Sequence, residues 1–123
     1  MKHILVIDDS VAIRKAIRRI LEGMGYAVSE AEDGARGLQA LEAQAGTFQA
    51  VLCDIDMPVL DGIGFLHAVG ERPALAPPPI IMCTTHTAFE RIQTALSSGA
   101  TEYIMKPFDA AIIGSKLEAC GVQ

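Results

Sequence analysis

Two hydrophobic periods alternate along the chain. The stretch "HILVID", residues 3–8, is a short β-branched run that ends in acids, the pattern of a buried strand. Ser10 follows in the position of a helix N-cap, and Ile13, Ala16, Ile17, Ile20 and Leu21 recur at helical spacing until Gly23 and Gly25 end the segment. "YAVSEA" then reads as a strand, "EDG" as a turn, and Leu38 and Leu41 mark a second helix that closes near Gly46. "FQAVLCD" is a third strand, and "DMPVLDG" leads into a short helix over Ile63 to Val69. "ERPALAPPP" predicts a loop and nothing else, because proline breaks helix and strand ladder alike. "IIMCTT" is a strand, Phe89, Ile92, Ala95 and Leu96 mark a helix ended by Gly99, and "TEYIM" is a strand. "KPFD" opens a last helix carrying Ile113 and Leu117, which Gly114 weakens by roughly 1 kcal/mol relative to alanine.

Strands that alternate with helices predict an α/β domain with a parallel sheet and right-handed crossovers. Five such units, with helices on both faces, make a doubly wound sheet, in which ligands bind at the carboxyl ends of the strands near the switch in strand order. The length, 123 residues, fits one domain over 1–123, and no separate output domain is expected. The net charge of −5 and the absence of tryptophan argue against nucleic acid as a partner, although Arg14, Lys15, Arg18 and Arg19 form a local basic cluster. That cluster reads either as a solvated face or as a docking surface for a kinase. Cys53, Cys83 and Cys120 lack metal or disulfide spacing, and Cys53 and Cys83 lie within apolar runs as small buried hydrophobes. No signal peptide is visible and no run approaches the ~20 apolar residues of a membrane span, so a cytoplasmic protein is expected.

The strand ends carry the chemistry. The first strand is followed by Asp8 and Asp9, the third by Asp54 and Asp56, the fourth by Thr84 and Thr85, and the fifth by Lys106 and Pro107; the second ends without an obvious reactive group. In a parallel sheet these groups converge on one rim. Two carboxylates at about 4 Å repel by about 4 kcal/mol at an effective dielectric near 20, so the cluster calls for a cation. A hard divalent ion with oxygen ligands fits, and Mg²⁺ typically takes one or two carboxylates, waters and a phosphate oxygen. Acids, metal, a lysine and a hydroxyl together make a site for phosphoryl transfer, in which an aspartate can itself accept the phosphoryl group. Each residue also has an ordinary role at its position: helix-terminus acid, turn aspartate, N-cap threonine or solvated lysine. Those roles would have to coincide at the ends of four strands.

"VIDDS", "CDIDMPVLDG", "IIMCTT" and "YIMKPF" resemble, in order and spacing, the receiver domain of bacterial response regulators, most closely the single-domain chemotaxis (CheY-like) type. The resemblance implies a flavodoxin-like sheet of order 2-1-3-4-5 with five helices. It implies that Asp54 is the phosphoacceptor, that Asp8, Asp9 and Asp54 with the backbone carbonyl of Asp56 hold Mg²⁺, and that Thr84 and Lys106 bind the phosphoryl group. Tyr103 falls at the switch aromatic position, the Lys106–Pro107 bond is expected to be cis, and Asp56 and His86 occupy the positions that tune dephosphorylation. A sensor histidine kinase is the implied phosphodonor. The output is expected to be protein contact through the face made by the fourth helix, fifth strand and fifth helix, with a flagellar motor switch or a histidine phosphotransferase as target. A monomer is expected, with no enzymatic turnover beyond its own phosphotransfer and autodephosphorylation.

Two other chemistries fit the sequence less well. "DIDMP" is similar to the DxDxT of aspartyl-phosphate phosphatases, but it ends the third strand instead of the first, and Pro58 stands where the threonine belongs. A nucleotide- or flavin-binding module lacks its phosphate loop here, since Gly23 and Gly25 precede a strand.

Overall fold

The computed structural model describes residues 2–44, 46–55, 57, 59–84, 89–106 and 108–122. The strands are β1 (His3–Ile7), β2 (Ala27–Ala31), β3 (Phe48–Asp54), β4 (Ile80–Thr84) and β5 (Glu102–Met105). The helices are α1 (Val11–Gly23), α2 (Gly34–Ala43), α3 (Gly62–Gly70), α4 (Phe89–Ser97) and α5 (Ala110–Ala119). The strands form one sheet in the order β2-β1-β3-β4-β5, parallel at every junction.

The near-continuous apolar strands follow from burial on both faces. Leu5, Ile7, Val51, Cys53, Ile80 and Met82 point to one side, where α2, α3 and α4 supply Leu41, Phe65, Leu66, Val69 and Ala95. Ile4, Val6, Ala50, Leu52, Ile81, Cys83 and Ile104 point to the other, against Ile17 and Leu21 of α1 and Ile113 and Leu117 of α5. Side-chain oxygens start four helices as caps: Ser10 accepts from the Ile13 amide, Asp33 from Arg36, Asp61 from Gly64 and Asp109 from Ile112.

One expectation is corrected. The proline-rich connection between α3 and β4 is not wholly irregular, because Pro73–Leu75 makes a 3₁₀ turn. Proline is tolerated in the first turn, where its missing N–H has no intrahelical partner to lose. The strand order reverses between β1 and β3, so the carboxyl ends of those two strands flank the crevice where such sheets bind ligands.

Candidate functional site

Register builds the site. Ile7 of β1 pairs with Cys53 of β3, so Asp8 and Asp54, each the next residue, leave the sheet side by side. Asp54 pairs with Cys83, and Thr84 pairs with Met105. Thr84 and Lys106 therefore reach the same rim from β4 and β5. The Lys106 Nζ lies 3.0 Å from Asp8 Oδ2 and 3.5 Å from Asp54 Oδ1. Asp8 and Thr84 are each 1% exposed and Asp54 8%, whereas Asp9 faces solvent. One oxygen from each of Asp8, Asp9 and Asp54 can be chosen so that all lie within 4.8 Å of one another.

Asp8 is held on every side. Its amide donates to Ala31 O at 3.1 Å, Ser10 N donates to its Oδ1 at 2.9 Å, and an Arg14 N–H donates to its carbonyl at 2.7 Å. Burial alone disfavours the charged form of Lys106, but the hydrogen bond to Asp8 and the nearby charges of Asp54 and Asp8 outweigh it and raise the ammonium pKa. The rim thus keeps a fixed positive charge across the physiological range beside clustered carboxylates. The donor set is all oxygen, two of the three carboxylates are buried, and one side is open to water. This is the chemistry of a hard divalent site that keeps waters and an anionic ligand in its coordination shell.

Comparison with known proteins agrees. The response regulator receiver domain family matches residues 4–118. The chain belongs to this family. The receiver is 36% identical over 116 residues to the chemotaxis protein CheY1 of Helicobacter pylori, covering 94% of this chain and 93% of that one. It superposes on chemotaxis protein CheY4 of Vibrio cholerae with a TM-score of 0.87 at 34% identity, covering 98% of both chains. A further structural neighbour, with a TM-score of 0.87, 27% identity and 98% coverage of both chains, is the receiver domain of a sensor histidine kinase of Pseudomonas aeruginosa PAO1. That structure has a magnesium ion coordinated in its active site cleft.

Most of the residues singled out in the sequence thus meet in the receiver: Asp8, Asp9, Asp54 and Lys106 are within reach of one another, and Thr84 ends the strand beside Asp54. Asp56, His86 and Pro107 lie outside the described residues, and with them the expected carbonyl ligand, the dephosphorylation positions and the cis bond. Tyr103 stands farther from the rim. Its register partner is Met82, two residues before Thr84, so Tyr103 and Thr84 share the sheet face that packs against α3 and α4. The Lys116 ammonium lies 5.2 Å from the centre of the Tyr103 ring, and it also pairs with Glu102 at 3.3 Å.

The residue that sequence reasoning missed is Glu30. The end of β2 looked inert, yet Arg14, Lys15 and Arg18 of α1 all converge on the Glu30 carboxylate at 3.0, 2.8 and 2.7 Å. The basic cluster is therefore largely tied down within the receiver, with Arg19 left exposed. Hydrogen bonds from Lys15, Arg18 and Arg14, with Lys15 foremost, overcome the burial of Glu30 and hold its carboxyl at about 2. The available signal was the spacing of Arg14 and Arg18, which puts both on one helix face, opposite an acid in the next strand.

Proposed function

We propose that the receiver is a phosphorylation switch in two-component signalling: Asp54 takes a phosphoryl group from the phosphohistidine of a sensor histidine kinase, and the protein then signals by contact with another protein. The observation that supports this most is the placement of the Asp54 carboxylate beside Asp8 and Asp9 and 3.5 Å from the Lys106 ammonium. In the transfer, an Asp54 oxygen forms the new O–P bond while the P–N bond to the donor imidazole breaks, and the leaving nitrogen keeps the electron pair and takes a proton. Asp8, Asp9, Asp54 and the Asp56 carbonyl would hold Mg²⁺, which neutralises phosphoryl-oxygen charge. Lys106 turns from Asp8 toward the new dianion, and the Thr84 hydroxyl donates to it. Movement of Thr84 frees space on the face it shares with Tyr103, so the phosphoryl group biases α4, β5 and α5 toward one of two arrangements.

The chemotaxis relatives support a motility role, with a flagellar motor switch as the target proposed for this receiver. Among the described residues no helix is long and apolar enough to cross a membrane. The test is incubation with acetyl phosphate and Mg²⁺ followed by intact mass measurement. One phosphoryl group is expected on the wild type and none on Asp54→Asn or in EDTA. Equal labelling of Asp54→Asn would overturn the assignment.

A further inference from the structure

Arg14 is joined to the acidic rim in a way that none of its basic neighbours is. Its guanidinium donates from one nitrogen to the Asp8 carbonyl at 2.7 Å and from Nε to Glu30 Oε1 at 3.0 Å. The residue after Glu30 closes the ring, because Ala31 O accepts the Asp8 amide at 3.1 Å. The two peptide groups of Asp8 are thus tied to the end of β2, one directly and one through Arg14. The Asp8 carboxylate is in turn tied to Ser10 N and Lys106. Lys15 and Arg18 share Glu30 but not Asp8: their bonds run to Glu30 and, for Arg18, to Glu22. The Arg14 side chain is 13% exposed, against 50% for Lys15 and 37% for Arg18, so its fork is held in place by packing as well as by bonds.

We infer that Arg14 is a positioning residue for the metal-holding carboxylates: the Asp8 carbonyl–Arg14–Glu30 clamp fixes the turn that carries Asp8 and Asp9, and so sets the receiver's affinity for Mg²⁺. The inference rests on the reading that Asp8, Asp9 and Asp54 hold that ion. The physical ground is that carboxylates free to swing must be ordered when a cation binds, whereas a fixed backbone has met that cost during folding. Only arginine spans the two acceptors at once, because its planar fork presents several N–H groups in fixed directions and a lysine ammonium does not.

Arg14→Ala and Arg18→Ala separate this role from a merely structural one. Each takes one cation from Glu30, but only the first releases the Asp8 carbonyl. Mg²⁺ is titrated calorimetrically into each variant, and each is melted without metal. Mg²⁺ dissociation constants are expected to rise roughly tenfold in Arg14→Ala, the lower end of what loss of an outer-shell partner costs a metal site. The Arg18→Ala constant is expected to stay within about twofold of wild type, as befits an exposed pair. Arg14→Lys, which keeps the charge and the stem, is expected to retain most of the loss, and it carries the test if Arg14→Ala does not fold. Equal Mg²⁺ affinities in the Arg14 and Arg18 variants overturn the clamp while leaving the metal site standing. A wild type that takes up no Mg²⁺ overturns the metal reading itself.

Discussion

Lys106 stands where a long side chain has most to do. Its ammonium faces Asp8 and Asp54 at 3.0 and 3.5 Å, and all three side chains are nearly buried. Taking away one partner of such a group leaves carboxylates that burial has already stripped of water. Lys106→Ala is therefore expected to cost about 2–3 kcal/mol in urea denaturation at neutral pH, below the range for fully buried pairs because the rim is open. Added Mg²⁺ should return more stability to Lys106→Ala than to the wild type, since a second cation can replace the first. The thiols carry a separate expectation. Burial raises Cys53 far above its ordinary value and pushes Cys83 up to about 12, so neither offers thiolate. A thiol-reactive dye should find only Cys120 of the three cysteines in the native protein, and all three in guanidinium. At this scale the sequence was legible where chemistry and strand end coincided, as at Asp54 and Lys106. Glu30 was not, because an acid at an alternate position of an edge strand is indistinguishable from a solvated one until α1 is folded over it.

The turn from β3 into α3 is the element that sets Asp54 in place. Gly62 N donates to Ile55 O at 2.9 Å, and a Cβ at Gly62 would fall 2.6 Å from Asp54 O and 2.8 Å from Ile55 Cα. Those neighbours are backbone and cannot yield as a side-chain tip would. Gly62→Ala is expected to destabilise the protein by about 2 kcal/mol, as overpacking does, and to weaken Mg²⁺ binding by displacing Asp54. The same turn stores strain at Val59, whose φ of 69° is costly for a β-branched residue and whose side chain is 82% exposed. Val59→Asn should raise stability by about 1 kcal/mol, because asparagine tolerates this conformation and no packing is lost. Helices and strands were readable from period and caps, with Ser10 a clear start for α1. The 3₁₀ turn at Pro73–Leu75 was hidden because proline argues against an α-helix without arguing against a single tight turn.

For the molecule as a whole, the alternation of strands and helices was enough to predict a parallel doubly wound sheet, while the order β2-β1-β3-β4-β5 came from resemblance and agrees with the structure. Periodicity cannot give strand order, since any right-handed arrangement buries the same apolar strands. What it also cannot show is how the edge strand β2 is fastened to the rest, and there Glu30 matters to global stability. Its carboxyl is shifted from an ordinary 4.5 to about 2 by Lys15, Arg18 and Arg14. A depressed carboxyl binds fewer protons folded than unfolded, so its contribution is complete above the unfolded value and is lost as pH falls through the folded one. The window therefore runs from about 4.5 down to about 2. Lys15 and Arg18 are partly exposed, which screens the pairs, and about 1–2 kcal/mol is a fitting magnitude at neutral pH. Glu30→Gln removes the charge at every pH. Urea midpoints of wild type and variant should thus differ at pH 7, converge steadily below pH 4.5 and meet near pH 2. A gap that stayed constant across that range would mean that α1 is held to β2 by packing rather than by this charge.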